Sequence, residues 1–196
     1  MVIESMEERK YTVAEYFELA RNSESRYEFH YGKLIEMPGE AKKANDIALN
    51  VVEFIRKPFY KKGYKVYAHD VKAEVNDGNT YRCPDVVVAP ISDKSDDYFV
   101  IFPAMIVEVA SKNSMHTDTS TKLKEYKKLP SMQYYIIASQ DEMEVTVYTR
   151  SGDKWTVDLF DLPNDIVNLP LFDTSFSLAD MYDTVEINGQ LFLKDA

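Results

Sequence analysis

Seven consecutive residues, Ala104-Met105-Ile106-Val107-Glu108-Val109-Ala110, offer water no polar face apart from one carboxylate. A strand of this kind is covered on both sides, the condition of an inner strand in a layered α/β sheet. A second run, Val86-Val87-Val88-Ala89, has the same character and is entered through another carboxylate, Asp85 of Arg82-Cys83-Pro84-Asp85. Helices or further strands must therefore cover both faces of these two segments.

The remaining pattern supplies them. Thr12-Val13-Ala14-Glu15 has the spacing of a capping box, with Thr12 as N-cap, and predicts a helix to near Arg21. Residues 26–37 alternate around Tyr31-Gly32 as a hairpin does. A longer helix is expected over 42–62, with Ile47, Val51, Phe54 and Ile55 on one stripe, a kink at Pro58 and a stop at Gly63. Strands are expected at 64–69, 71–76 and 82–89, with Asp77-Gly78 turning between the last two segments and Pro84 pushing its strand toward a sheet edge. Residues 91–100 read as an acidic surface loop and 117–129 as a helix. A strand at 132–139 and a hairpin at 144–149 and 155–160 follow, turning at Ser151-Gly152. With no repeat or linker, the simplest account is one α/β domain over residues 1–196. It has a mixed central β-sheet flanked by helices, with extra β-hairpins.

Composition excludes several classes. The single Cys83 rules out an intrachain disulfide, and the three histidines (His30, His69, His116) have no zinc-ligand spacing. Met1 to Lys10 lacks the apolar core of a secretory signal, and no apolar run is long enough to span a membrane, so the cytoplasm is the expected compartment. A net charge of −10 argues against nonspecific coating of nucleic acid. It leaves room for a nuclease, in which a bound cation and a local basic cleft offset the negative surface.

An ionised carboxylate is costly to bury unless it is paired, hydrogen-bonded or bound to a cation. Asp85 and Glu108 lie in adjacent apolar strands, and Lys122 follows in the next helix. Counting about 100° per residue from Lys122, Tyr126 falls near 40°, Leu129 near −20° and Asp118 near −40°, so Lys122 lies within the apolar stripe. Taken alone, such a lysine snorkels to water, and Asp85 is a strand-end carboxylate. Glu108 is divided evenly between structural pairing and function. Together they favour a metal-dependent site acting on a phosphate.

The order of these residues resembles the PD-(D/E)XK nuclease superfamily, and within it the Uma-type restriction endonucleases, catalogued as a domain of unknown function. The similarity is carried by Arg26-Tyr27-Glu28, Gly32 and Met37, then Pro84-Asp85, then Glu108-Val109-Ala110-Ser111. Asp118, Lys122-Leu123-Lys124-Glu125-Tyr126 and Gln133-Tyr134-Tyr135 complete it. Ala110 stands where the strict motif has its lysine, which this branch draws from the following helix; the His that often precedes the second long helix is absent near Ala44. The resemblance implies a restriction-endonuclease-like core and a DNA endonuclease. Asp85, Glu108 and the Val109 carbonyl would hold Mg²⁺ or Mn²⁺, and Lys122 would act on the attacking water or the phosphorus. It also implies an auxiliary acid in Glu28, whose other reading is an exposed strand glutamate, and a homodimer for double-strand cleavage. Asp118 would position Lys122, and Tyr126 would pack beside it. The alternative function is a catalytically silent nuclease fold serving as a binding or regulatory module in a mobile element or defence system.

Overall fold

A computed structural model describes residues 9–93 and 96–194; the amino-terminal segment read above for a secretory signal lies largely outside the described residues. Two sheets carry the architecture. The larger has six strands in the order β11 (Lys154–Phe160), β10 (Val145–Ser151), β9 (Tyr134–Ser139), β8 (Met105–Ala110), β6 (Val86–Pro90) and β3 (Tyr64–Ala68). The smaller has five in the order β2 (Lys33–Glu36), β1 (Tyr27–His30), β5 (Thr80–Arg82), β4 (Lys72–Val75) and β7 (Phe99–Val100).

The first helix, α1 (Val13–Asn22), starts at a complete capping box, in which Thr12 and Glu15 satisfy each other's backbone N–H groups. Tyr16 and Phe17 on its inner face pack against Phe29 and Tyr81 of the smaller sheet. The hairpin of β1 (Tyr27–His30) and β2 (Lys33–Glu36) turns through Tyr31 and Gly32, both at positive φ. That conformation suits the twist of a two-residue hairpin and is one reason for a glycine there.

Helix α2 (Lys42–Lys61) runs through Pro58 without ending and stops before Gly63, at φ 85°. Its stripe of Ile47, Val51, Ile55 and Phe59 lies on one face of the larger sheet. It meets the Val86/Val88 side of β6 (Val86–Pro90) and the Met105/Val107/Val109 side of β8 (Met105–Ala110). The carboxy-terminal segment, whose arrangement was not legible from its alternation, covers the same face through Phe172, Phe176, Leu178, Met181 and Tyr182.

The opposite face of the larger sheet carries Val87, Ala89, Ile106, Ala110, Tyr135 and Ile137. It is closed by β4 (Lys72–Val75) of the smaller sheet and by the helical segment 115–128. Alternation along each strand thus puts Glu108 with Ile106 and Ala110, on the side away from α2. β8 is an inner strand, antiparallel to β6 and parallel to β9 (Tyr134–Ser139), which makes the sheet mixed.

Two elements differ from their sequence reading. The strand expected over 82–89 is two strands, β5 (Thr80–Arg82) in the smaller sheet and β6 in the larger. Pro84 has no N–H for a ladder and restricts Cys83 before it, so the chain changes sheets there. β6 itself is therefore an inner strand, between β3 (Tyr64–Ala68) and β8, and not the edge that Pro84 suggested. The helix expected over 117–129 is composite. Helix α3 (Met115–Thr117) leads into a π-helical turn (Asp118–Lys122) and then α4 (Leu123–Lys128). The Thr119 and Ser120 hydroxyls donate to the Met115 and His116 carbonyls, satisfying acceptors that regular α-helical bonding would otherwise use. Such π turns are rare and gather at functional sites.

Candidate active site

The change of sheets at Pro84 brings the two segments of the Arg82–Asp85 motif to different jobs. β6 and β8 pair Val86 with Val107. One step further along the ladder, Asp85 stands beside Glu108 at the end of the strands. Asp85 Oδ2 accepts the Val109 N–H at 2.6 Å. Because the N–H and C=O of a strand residue point to the same side, the Val109 carbonyl is directed to that edge as well. Asp85, Glu108 and Val109 line one open cleft of roughly 210 Å³, with Asp118 and Lys122 on its helical wall.

The expectation that Lys122 faces inward holds. Its ammonium lies 3.0 Å from Glu108 Oε1, 3.0 Å from Asp118 Oδ1 and 3.7 Å from Glu28 Oε1. The Tyr126 hydroxyl donates to Glu108 Oε1 at 3.0 Å, so Tyr126 is a partner of the acid as well as packing for the lysine. Glu28 is not the exposed strand residue of its alternative reading. It accepts from the Cys83 N–H and pairs with Arg82 at 2.6 Å. Arg82 in turn makes a two-pronged contact with Glu125, at 2.8 and 2.9 Å. Glu28, Arg82, Glu108, Asp118, Lys122 and Glu125 are only 2–7% exposed.

Sequence reading missed four of these participants or their neighbours. Arg82 and Glu125 stood inside quoted motifs without a role, although the angular count that singled out Lys122 places Glu125 near −60°, on the same buried face. Arg26 lines the cleft, and its buried Nε lies 3.5 Å from Asp70 Oδ1 without a well-formed hydrogen bond. His69, set aside for lack of ligand spacing, reaches the site through the fold: its N–H donates to the Asp85 carbonyl at 2.9 Å. Cys83 is buried, as read, and burial pushes its thiol up to about 11, which suits an inert side chain.

The electrostatics favour a cation. Around Lys122 and Arg82 stand five carboxylates, those of Glu28, Asp85, Glu108, Asp118 and Glu125. Burial pushes Asp85 up to about 6, with the Val109 N–H and Lys122 opposing and Glu40 adding to it. Burial also holds Glu108 well above the usual carboxylate range, despite the ammonium beside it. Burial works against ionising Glu28 too, yet Lys122 and Arg82 outweigh it and keep that carboxyl low. Lys122 is raised, because Glu108, Glu28 and Asp118 together overcome its desolvation. The acids nearest the cleft are therefore the ones left short of positive charge, and oxygen donors of this type suit a hard divalent ion.

Comparisons with known proteins bear on the family and the fold. A family model, Uma2, described as "Putative restriction endonuclease", matches residues 13–181. Two proteins of Synechocystis sp., "Uncharacterized protein sll1609" and "Uncharacterized protein slr1290", are similar in sequence. The first is 25% identical over 146 residues, 73% of this chain and 82% of the relative. The second is 23% identical over 174 residues, 88% and 92% respectively. A crystal structure of "a putative nuclease belonging to DUF820" from Anabaena variabilis superposes with a TM-score of 0.68 at 21% identity. That alignment covers 87% of this chain and 97% of the neighbour, a likeness of fold.

Proposed function

The chain belongs to the Uma2 family, and from that premise we propose that it is a metal-dependent DNA endonuclease that hydrolyses phosphodiester bonds. The observation that carries the reading is the convergence of Asp85, Glu108 and Lys122 on one cleft whose acids outnumber its bases. Asp85, Glu108 and the Val109 carbonyl would hold Mg²⁺ or Mn²⁺, an all-oxygen set. When bound, such an ion lends Lewis acidity to the phosphodiester and eases deprotonation of the attacking water.

The chain's own groups do the rest. Lys122 carries a fixed positive charge at the cleft wall, placed to orient the water or to meet charge developing on the phosphoryl oxygens. Asp118 and Glu28 hold that ammonium from two sides, which makes both positioning residues. Arg82 keeps Glu28 from reaching the cleft. Arg26 lines the cleft, where its guanidinium can meet an incoming phosphate. The water's proton leaves to solvent through the open side of the cleft, and the 3′ oxygen departs in line and takes up a proton from solvent. Double-strand cleavage would need two such sites, for which a homodimer in the cytoplasm is the natural assembly.

One observation favours a second reading, a silent nuclease fold used for binding or regulation. Lys122 lies between Glu108 and Asp118 while Tyr126 donates to Glu108, so the site partly neutralises itself. Nicking of supercoiled plasmid in Mg²⁺ or Mn²⁺ separates the two. The nuclease reading expects nicking by the native protein that is lost in Asp85→Ala and Glu108→Gln. Native protein inert across a broad panel of DNAs, and indistinguishable from Lys122→Ala, would favour the silent module.

A further inference from the structure

A second group of donors lies beside Asp85, and one of them, Glu40, lines the same cleft. Glu40 comes from the loop before α2, and His69 from the turn after β3. One ligand atom from each of Glu40, His69 and Asp85 lies within 4.8 Å of the other two. His69 sits at φ 63°, and its backbone N–H is tied to the Asp85 carbonyl, so the ring is held by main chain as well as by packing. Its Nδ1 is 3.1 Å from Glu40 Oε2 yet is a buried atom with no well-formed hydrogen bond. Its Nε2 meets the Asn45 side-chain amide at 3.2 Å. Ligation through Nδ1 leaves the proton on Nε2, and the Asn45 amide accepts it once its oxygen is turned to the ring, the arrangement of a metal ligand with its outer partner.

We propose that Glu40, His69 and Asp85 form a second cation site, which takes a first-row transition-metal dication in preference to Mg²⁺. Imidazole is a good donor for Mn²⁺, Co²⁺, Ni²⁺ and Zn²⁺ and a poor one for Mg²⁺, which keeps oxygen ligands. Three protein ligands, one of them on the exposed Glu40, leave positions for water or for a phosphate oxygen. Asp85 is common to both sites, so its carboxylate can bridge two ions, as in hydrolases that clamp both sides of an in-line displacement. The proposal rests on the nuclease reading only through that shared aspartate.

The test is Co²⁺ titration of the full chain without DNA, read by visible absorption, alongside Mn²⁺ titration by electron paramagnetic resonance. His69→Asn keeps a residue type that tolerates positive φ, and Glu40→Gln is nearly isosteric, so both variants are expected to fold. Each is expected to weaken Co²⁺ binding by about tenfold or more, the loss seen even for outer partners of a metal. Glu108→Gln is expected to keep the Co²⁺ spectrum. Unchanged Co²⁺ affinity and spectrum in both His69→Asn and Glu40→Gln overturns the proposal and leaves a structural His–Glu pair. Mg²⁺-dependent nicking lost in Glu108→Gln would, in that case, leave the nuclease reading standing by itself.

Discussion

At the residue scale, the consequential quantity is the ionisation of Asp85. Its carboxyl titrates near 6 in the folded chain against 3.8 ordinarily. The folded state therefore holds a proton that the unfolded chain has released, and stability falls as pH rises through that window. Without metal, Asp85→Asn is expected to raise stability at pH 8 by about 1–2 kcal/mol after allowance for partial exposure, measured by thermal midpoint. The same variant is expected to lose stabilisation by Mg²⁺. Affinity for Mg²⁺ in the native protein should fall as pH drops below about 6, because proton and ion compete for one carboxylate. Removing Lys122 has the opposite effect on stability from removing the Asp85 charge. Lys122→Met removes the cation that Glu108 and Asp118 share and is expected to cost about 3–5 kcal/mol in chemical denaturation, as for one half of a buried ion pair. Arg82→Lys is expected to fail as a replacement, because the two-pronged contact with Glu125 uses the guanidinium plane.

At the scale of elements, folding and chemistry rest on different segments. The capping box of α1 serves the helix and the aromatic cluster beneath it, and does not touch the cleft. Thr12→Ala should cost about 1 kcal/mol of stability and leave plasmid nicking per folded molecule unchanged. The π turn is different in kind. It carries Asp118 and Lys122, and the Tyr135 hydroxyl of β9 donates to the Asp118 carbonyl at 3.1 Å, anchoring the turn to the sheet. Tyr135→Phe is expected to lower nicking more than it lowers stability, since its loss frees the segment that aims the lysine. Equal proportional losses in kcat and in folded fraction would argue against that role.

For the whole molecule, the net charge of −10 conceals a strong local reversal. From Arg56 to Lys65 the chain carries Arg56, Lys57, Lys61, Lys62 and Lys65 and no acid. Several of these line a groove with Tyr60, Tyr64 and Tyr67 beside β3, the outer strand of the larger sheet. β3 runs from that groove toward His69 and the cleft, so a phosphate backbone laid along it would lead to Asp85. Replacing Lys57, Lys61 and Lys65 by glutamate is expected to weaken binding of a labelled duplex. Its log–log salt slope should shrink by up to about 3, one contact for each lysine. A slope unchanged by the triple variant would move the DNA path elsewhere. Among the described residues, no helix is long and apolar enough to cross a membrane.

The sequence by itself determined the inner strand at 104–110, the capped first helix, the hairpins and the inward lysine. These follow from alternation, turn chemistry and helical phase, which are local properties of the backbone. It also marked Asp85, Glu108 and Lys122, because a charge inside an apolar pattern is conspicuous wherever it occurs. Only the tertiary structure decided that Pro84 sends one motif into two sheets, that Arg82 bridges Glu28 and Glu125, and that Glu40 and His69 flank Asp85. Those contacts join residues whose neighbours in the chain carry no period pointing to the partner, and their energies depend on burial and distance, quantities that exist only once the layers have closed.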